Sequence, residues 1–151
     1  MLTVRIADFA ADEPALRSVR FAVFVDEQRV PADVEIDDRD PLCVHVLALD
    51  GDVPVGTGRV DIERGGKIGR VAVVPGMRRR GVGTLVMERL HAIAAELGLA
   101  RVWCHAQTAA LPFYEGLGYR ATGSIFDEAD IPHVRMERPL GVSGSSSKAR
   151  S

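Results

Sequence analysis

Between residues 82 and 97, apolar side chains recur three and four positions apart at Val82, Leu85, Val86, Leu90, Ile93, Ala94 and Leu97. That spacing predicts an amphipathic helix, and Gly98 is a natural stop. Ahead of it, residues 68–74 form a run of branched apolar residues ending at Pro75, which reads as a buried strand. Residues 4–9 start with alternating character and suit an edge strand. Asp12 is a candidate cap for a helix over 14–24, with Leu16, Val19, Arg20 and Val23 on one side. Residues 43–49 and 53–62 are strand-like runs joined by Asp50-Gly51-Asp52, a hairpin signal. With 68–74 they make an antiparallel meander. After the long helix, 101–107 reads as a strand parallel to 68–74, 111–117 as a short helix ending at Gly118, and 119–126 and 134–138 as the last strands. The expected fold is α/β in the α+β sense: a mixed, mostly antiparallel sheet flanked by helices, with no internal repeat.

A chain of 151 residues can bury one core without disulfide staples, so a single domain over 1–139 is expected, with the small polar stretch 140–151 as a mobile tail. A 46% hydrophobic, 26% charged composition is that of a soluble globular protein. The net charge of -2 gives no general reason for a nucleic-acid partner. Cys43 and Cys104 lie in apolar runs without metal-ligand spacing, so they are expected as buried reduced thiols and no metal is expected. No apolar run approaches the ~20 residues that a bilayer crossing needs, which makes the cytoplasm the default location and a membrane no partner.

Charge changes the picture at one place. Arg78, Arg79 and Arg80 stand where the long helix begins, an end that normally attracts carboxylates because the peptide dipoles leave partial positive charge there. An anion between them would make the arrangement favourable. Gly81 and Gly83 would let backbone N–H groups approach a phosphate. The alternative is an ordinary solvated basic turn, which the preceding strand and following helix make the weaker reading. A P-loop needs a lysine and then Ser or Thr after its second glycine, but Val82, Gly83 and Thr84 follow Gly81. A dinucleotide-binding unit needs the turn near the first strand of a βαβ repeat, and here an antiparallel meander precedes it.

Arg78-Arg79-Arg80-Gly81-Val82-Gly83 resembles the (Gln/Arg)-x-x-Gly-x-(Gly/Ala) motif of the GNAT family of N-acetyltransferases. Phe113-Tyr114-Glu115-Gly116-Leu117-Gly118-Tyr119 resembles that family's Phe-Tyr-x-x-x-Gly-Phe segment. Residues 20–28, Ile68-Gly69-Arg70-Val71-Ala72-Val73 and Ile131-Pro132-His133-Val134 are similar to its ElaA-like branch, and the resemblance covers residues 2–139. It implies a sheet splayed open at its centre, between the strands at Val71 and Val102, with acetyl-CoA in the opening. It further implies that the backbone of Val71 and Val73 pairs with the pantetheine arm, and that backbone N–H groups of Arg79, Arg80, Gly81, Val82, Gly83 and Thr84 hold the diphosphate. The side chains of Arg78, Arg79 and Arg80 are supporting contacts. Tyr114 matches the family tyrosine that protonates the departing thiolate; the residues alone would make it a core aromatic. Gln107 stands where many members carry Asn and is a further cofactor contact. The acceptor implied is an amine of a small molecule or a protein, and the resemblance admits a homodimer.

An ammonium acceptor must lose a proton before it attacks a thioester. Many relatives place a carboxylate on the strand of the cofactor motif for this; here that strand offers Arg70. The gap keeps open a CoA-binding regulatory module without catalysis. Candidates for the base or the acceptor site are Glu27, Glu35, Asp37, His105, Glu128 and His133. Alternation along a strand puts His105 and Gln107 on one side. Within 27–41, Glu35, Asp37, Asp38 and Asp40 have only Arg39 set among them, so this stretch reads as an acidic loop or short irregular helix that would suit a cationic amine.

Overall fold

The computed structural model describes residues 1–30 and 37–141. Residues 31–36, Glu35 among them, and residues 142–151, which hold most of the expected tail, lie outside the described residues.

Among the described residues, seven strands form one sheet in the order β1-β2-β3-β4-β5-β7-β6. Strands β1 (Leu2–Ala7), β2 (Val44–Asp50), β3 (Val53–Asp61) and β4 (Lys67–Val73) are the antiparallel meander read from the pattern. Beyond helix α2 (Val82–Glu96), β5 (Arg101–Gln107) lies parallel to β4, and β7 (Ile131–Pro139) and β6 (Arg120–Glu128) continue antiparallel after the short helix α3 (Leu111–Gly116). Helix α1 (Phe9–Arg20) runs on into a π-helical turn, Phe21–Glu27. Among the described residues, no helix is long and apolar enough to cross a membrane.

Helix α2 lies close against β3 because Gly56 and Gly58 put no side chains between them. A Cβ on Gly58 would stand 2.9 Å from Leu90 and Val86, and one on Gly56 2.7 Å from Val82. Val82, Val86, Met87, Leu90, Ile93 and Ala94 are buried there, whereas Leu85 and Leu97, expected on the same stripe, are exposed. The buried face turns further towards Met87 and His91 than apolar spacing alone suggests. On the opposite side of the sheet Val19 and Val23 pack with Ala72, and Leu16, Val19, Arg20 and Val23 are all buried as their spacing requires.

The start of α1 is a correction. Asp8, not Asp12, caps it, accepting from the N–H groups of Ala10 and Ala11 at 3.0 and 3.2 Å. Asp12 instead holds Arg5 through two bonds of 2.9 and 3.0 Å and accepts from the Asp8 N–H. Pro14 therefore sits inside the helix, where its missing N–H leaves the carbonyl of exposed Ala10 to solvent.

Candidate active site

Strands β4 and β5 pair only at Lys67↔Trp103 and Ile68↔Cys104, then part. A bulge marks the fork: Thr57 pairs with Ala72 and Arg59 with Gly69, so β4 takes three steps where β3 takes two. Arg70 carries the strain at φ 53°. Such a bulge bends the strand and re-aims its backbone groups. Past it, Val71 and Val73 run along an edge that faces β5 without pairing to it among the described residues. The space between is a cleft of about 840 Å³, lined by Val71, Val73, Gly81, Gly83, Thr84, His105, Gln107 and Tyr114 among others.

One end of the cleft is the basic turn. Gly81 occupies the cap position of α2 at φ 80° and supplies no side-chain cap, so among the described residues the first N–H groups of the helix lack a side-chain cap. Arg79, also left-handed at φ 64°, and Arg80 are exposed. Arg78 is engaged: its Nη1 and Nη2 donate to Glu27 at 2.8 and 2.6 Å, and its Nε donates to the Val73 carbonyl at 3.1 Å. Gly83 stands close to α3: a Cβ there would lie 3.3 Å from the Phe113 ring, a tight contact.

Phe113 and Tyr114 sit on α3, with Pro112 in its first turn. The Tyr114 ring meets Phe113 and Tyr119 edge-on at 5.2 and 5.4 Å. Burial, and next the neighbouring Cys104 thiol, push the Tyr114 hydroxyl well above the ordinary phenol range. Behind it, Arg138 donates to His91 Nδ1 at 2.8 Å, and His91 Nε2 lies 2.6 Å from the Tyr119 hydroxyl. An arginine can only donate, so Nδ1 is the acceptor and the Nε2–H donates to Tyr119. Burial, then the Arg138 charge, lower the His91 pKa to about 4.

At the other end of the cleft, two acids of the expected acidic loop are paired with arginines. Asp40 is wholly buried and binds Arg20 through bonds of 2.9 and 3.1 Å and Arg59 at 2.7 Å. Asp37 takes Arg59 at 2.8 and 3.0 Å and Arg70 at 3.2 Å, and Arg39 takes Asp61 at 2.8 and 2.7 Å. Despite burial, the arginine partners hold Asp37 and Asp40 below the usual carboxylate range. Arginines from α1, β3 and β4 thus neutralise Asp37 and Asp40. On the β5 side, Val102, Cys104 and Ala106 are buried while Trp103, His105 and Gln107 face the other way, as alternation requires. Gln107 Nε2 donates to Gln28 at 2.9 Å. His105 Nδ1 lies 3.0 Å from Glu128 Oε1, and His133 Nε2 lies 3.9 Å from Glu128 Oε2.

Residues 13–140 match the acetyltransferase (GNAT) domain family. The chain belongs to the GNAT family. It is an N-acetyltransferase, a class that takes an acyl-CoA cosubstrate and an amine acceptor. An N-acetyltransferase of Bacillus subtilis, YjcF, described as uncharacterized, is 42% identical over 120 residues, spanning 78% of this chain and 86% of the relative. An acyl-CoA N-acyltransferase from Pseudomonas aeruginosa superposes with a TM-score of 0.81 at 30% identity, covering 91% of this chain and 99% of that one. The Escherichia coli ElaA structure superposes with a TM-score of 0.82 at 27% identity, again covering 91% and 99%, so the GNAT chain is ElaA-like.

In this GNAT fold the structure brings together around one cleft the basic turn, Tyr114, Gln107, Asp37, His105, Glu128 and His133. Arg59, Lys67, Trp103 and the His91–Arg138 pair were not singled out in the sequence. Lys67 lies over the Trp103 ring at 5.3 Å. Trp103 had a readable signal, since alternation puts it on the side of His105 and Gln107; the others depend on partners distant in the chain.

Proposed function

We propose that this GNAT protein, through a domain spanning 1–139, transfers the acetyl group of acetyl-CoA directly to an amine of a small molecule or a protein in the cytoplasm. The observation that carries the reading is the fork between β4 and β5 ending at an uncapped helix start. An extended arm can add to the open edge at Val71 and Val73 as a strand adds to a sheet. Beyond it, the N–H groups of residues 79–84 are the donors for a diphosphate, helped by the helix dipole and by the exposed Arg79 and Arg80. Gln107 borders the same cleft from β5. The donor set fits the group.

The thioester supplies an electrophilic carbonyl carbon and a thiolate leaving group. Tyr114 supplies the proton that the thiolate takes. Its raised pKa keeps the hydroxyl protonated, and the same surroundings push the Cys104 thiol up to about 12. A thiolate expelled beside them would hold a proton more firmly than in water.

Thermal melting with acetyl-CoA tests the cofactor reading. At about 100 times its Kd the ligand should add about 2.7 kcal/mol, a rise of several degrees in Tm. Release of free thiol with tyramine, spermidine or a peptide with a free N-terminus as acceptor tests the transfer. No melting shift at saturating cofactor overturns the proposal.

A further inference from the structure

The geometry points to His105 as the general base for the acceptor amine, set in position by Glu128; the inference rests on the function proposed above. Pairing of β4 with β5 ends at Ile68↔Cys104, and His105 is the next residue along β5, the first on that strand past the fork. It lines the cleft on the face opposite α2, the face where Gln107 meets Gln28, the residue that follows the π-helical turn. Trp103 and Phe126 hold its ring edge-on from two sides, at 5.5 and 4.8 Å. The Glu128 carboxylate only accepts, so Nδ1 carries the hydrogen bonded to it at 3.0 Å and the neutral ring keeps its lone pair on Nε2. That is the tautomer a base needs.

The other described candidates are engaged elsewhere. Glu27 is held by Arg78, and Asp37 by Arg59 and Arg70. His133 is buried and donates from Nδ1 to the Ile131 carbonyl at 2.6 Å, while its Nε2 faces Glu128. The charged groups around His105 are Lys67 on β4, which feels the Glu128 charge, Glu128 on β6, and His133 and Arg135 on β7, the last lying 4.0 Å over the Trp103 ring. Facing His105 in register on β7 is Arg135. Glu128 is thus the anion in bonding contact with the ring, and it offsets the charge the imidazole gains.

The ammonium gives one proton to His105 Nε2, and the freed lone pair forms the N–C bond as the C–S bond breaks. The thiolate takes the Tyr114 proton, the second nitrogen proton restores the tyrosine through water, and His105 returns its proton to solvent. The net products are amide, free thiol and one proton.

Two measurements test this. Long-range 15N–1H correlation of the imidazoles should show His105 as the Nδ1–H tautomer, shifting towards Nε2–H in Glu128→Ala; an Nε2–H tautomer in the native protein overturns the assignment. His105→Gln should lower kcat about 100-fold with the best acceptor of the amine panel. It should also remove the ascending acid limb of the pH–rate profile, while acetyl-CoA still raises Tm. An unchanged kcat and limb overturn the proposal. If acetyl-CoA leaves the Tm unchanged, the function above fails, and the tautomer still decides whether His105 is built to accept a proton.

Discussion

Arg78 and Glu27 meet at the edge of the cleft in a two-bond ion pair, 2.8 and 2.6 Å long, that ties the basic turn to the π-helical turn after α1. Both side chains are about 40% exposed, 39% and 41%, so solvent screening leaves the pair with little effect on stability. Its consequence is for binding. Glu27 competes with any diphosphate for Arg78 and places a like charge beside it. Glu27→Gln should tighten CoA binding about twofold to fivefold at low ionic strength, with the gain fading as salt rises. Calorimetric titration at two salt concentrations decides it; unchanged or weaker binding at low salt would show that Arg78 does not reach the anion.

Tyr114→Phe isolates one hydroxyl. The ring contacts with Phe113 and Tyr119 are kept, so the fold and the cofactor-induced melting shift should persist. Turnover should fall about 100-fold or more with KM for acetyl-CoA nearly constant, because only proton donation is lost. A variant with native kcat would remove Tyr114 as the acid.

What the chain reveals of itself follows the distance over which each feature is decided. The α2 stripe, the stop at Gly98 and the need for glycine at 81 are local, and they are legible. Leu85 and Leu97 are misread because apolar spacing sets the period of a helix but not how far its buried face turns. The cap of α1 is misread at Asp12 because Arg5, on β1, takes that carboxylate and leaves the capping to Asp8, four residues earlier. The splayed sheet entered through family resemblance, because no residue pattern says where two parallel strands stop pairing. Least legible was the loop around Asp40, whose counter-charges at Arg20 and Arg59 lie 20 and 19 residues away on other elements.

Asp40 is the residue on which that charge cluster turns. With both guanidinium partners closing on a fully buried carboxylate, Asp40→Asn keeps the shape but removes the anion that faces buried Arg20 at 2.9 Å, while Arg59 keeps its bonds to Asp37. The cost should be about 3–5 kcal/mol at neutral pH, read as a lower urea midpoint. The native pKa is depressed, so the stabilisation is complete above the ordinary aspartate value of about 4 and is lost as pH falls through the folded value. Asp40→Asn should therefore flatten the acid side of the stability profile. A variant as stable as the native protein at pH 7 would mean that the arginines find other partners.

His91 gives a separate window at higher pH. In the folded protein it is neutral, caught between the Arg138 donor and the Tyr119 hydroxyl, with a pKa of about 4 against 6.5 when unperturbed. The unfolded chain therefore binds the proton first. Stability is complete above about 6.5 and drains as pH falls towards about 4, by an amount on the order of 3 kcal/mol. His91→Gln can still accept from Arg138 and donate to Tyr119 but does not titrate. It should cost little at pH 7.5 and lose less stability than the native protein between pH 6.5 and 4 in urea unfolding. Equal pH slopes for native and variant protein would place the acid sensitivity elsewhere.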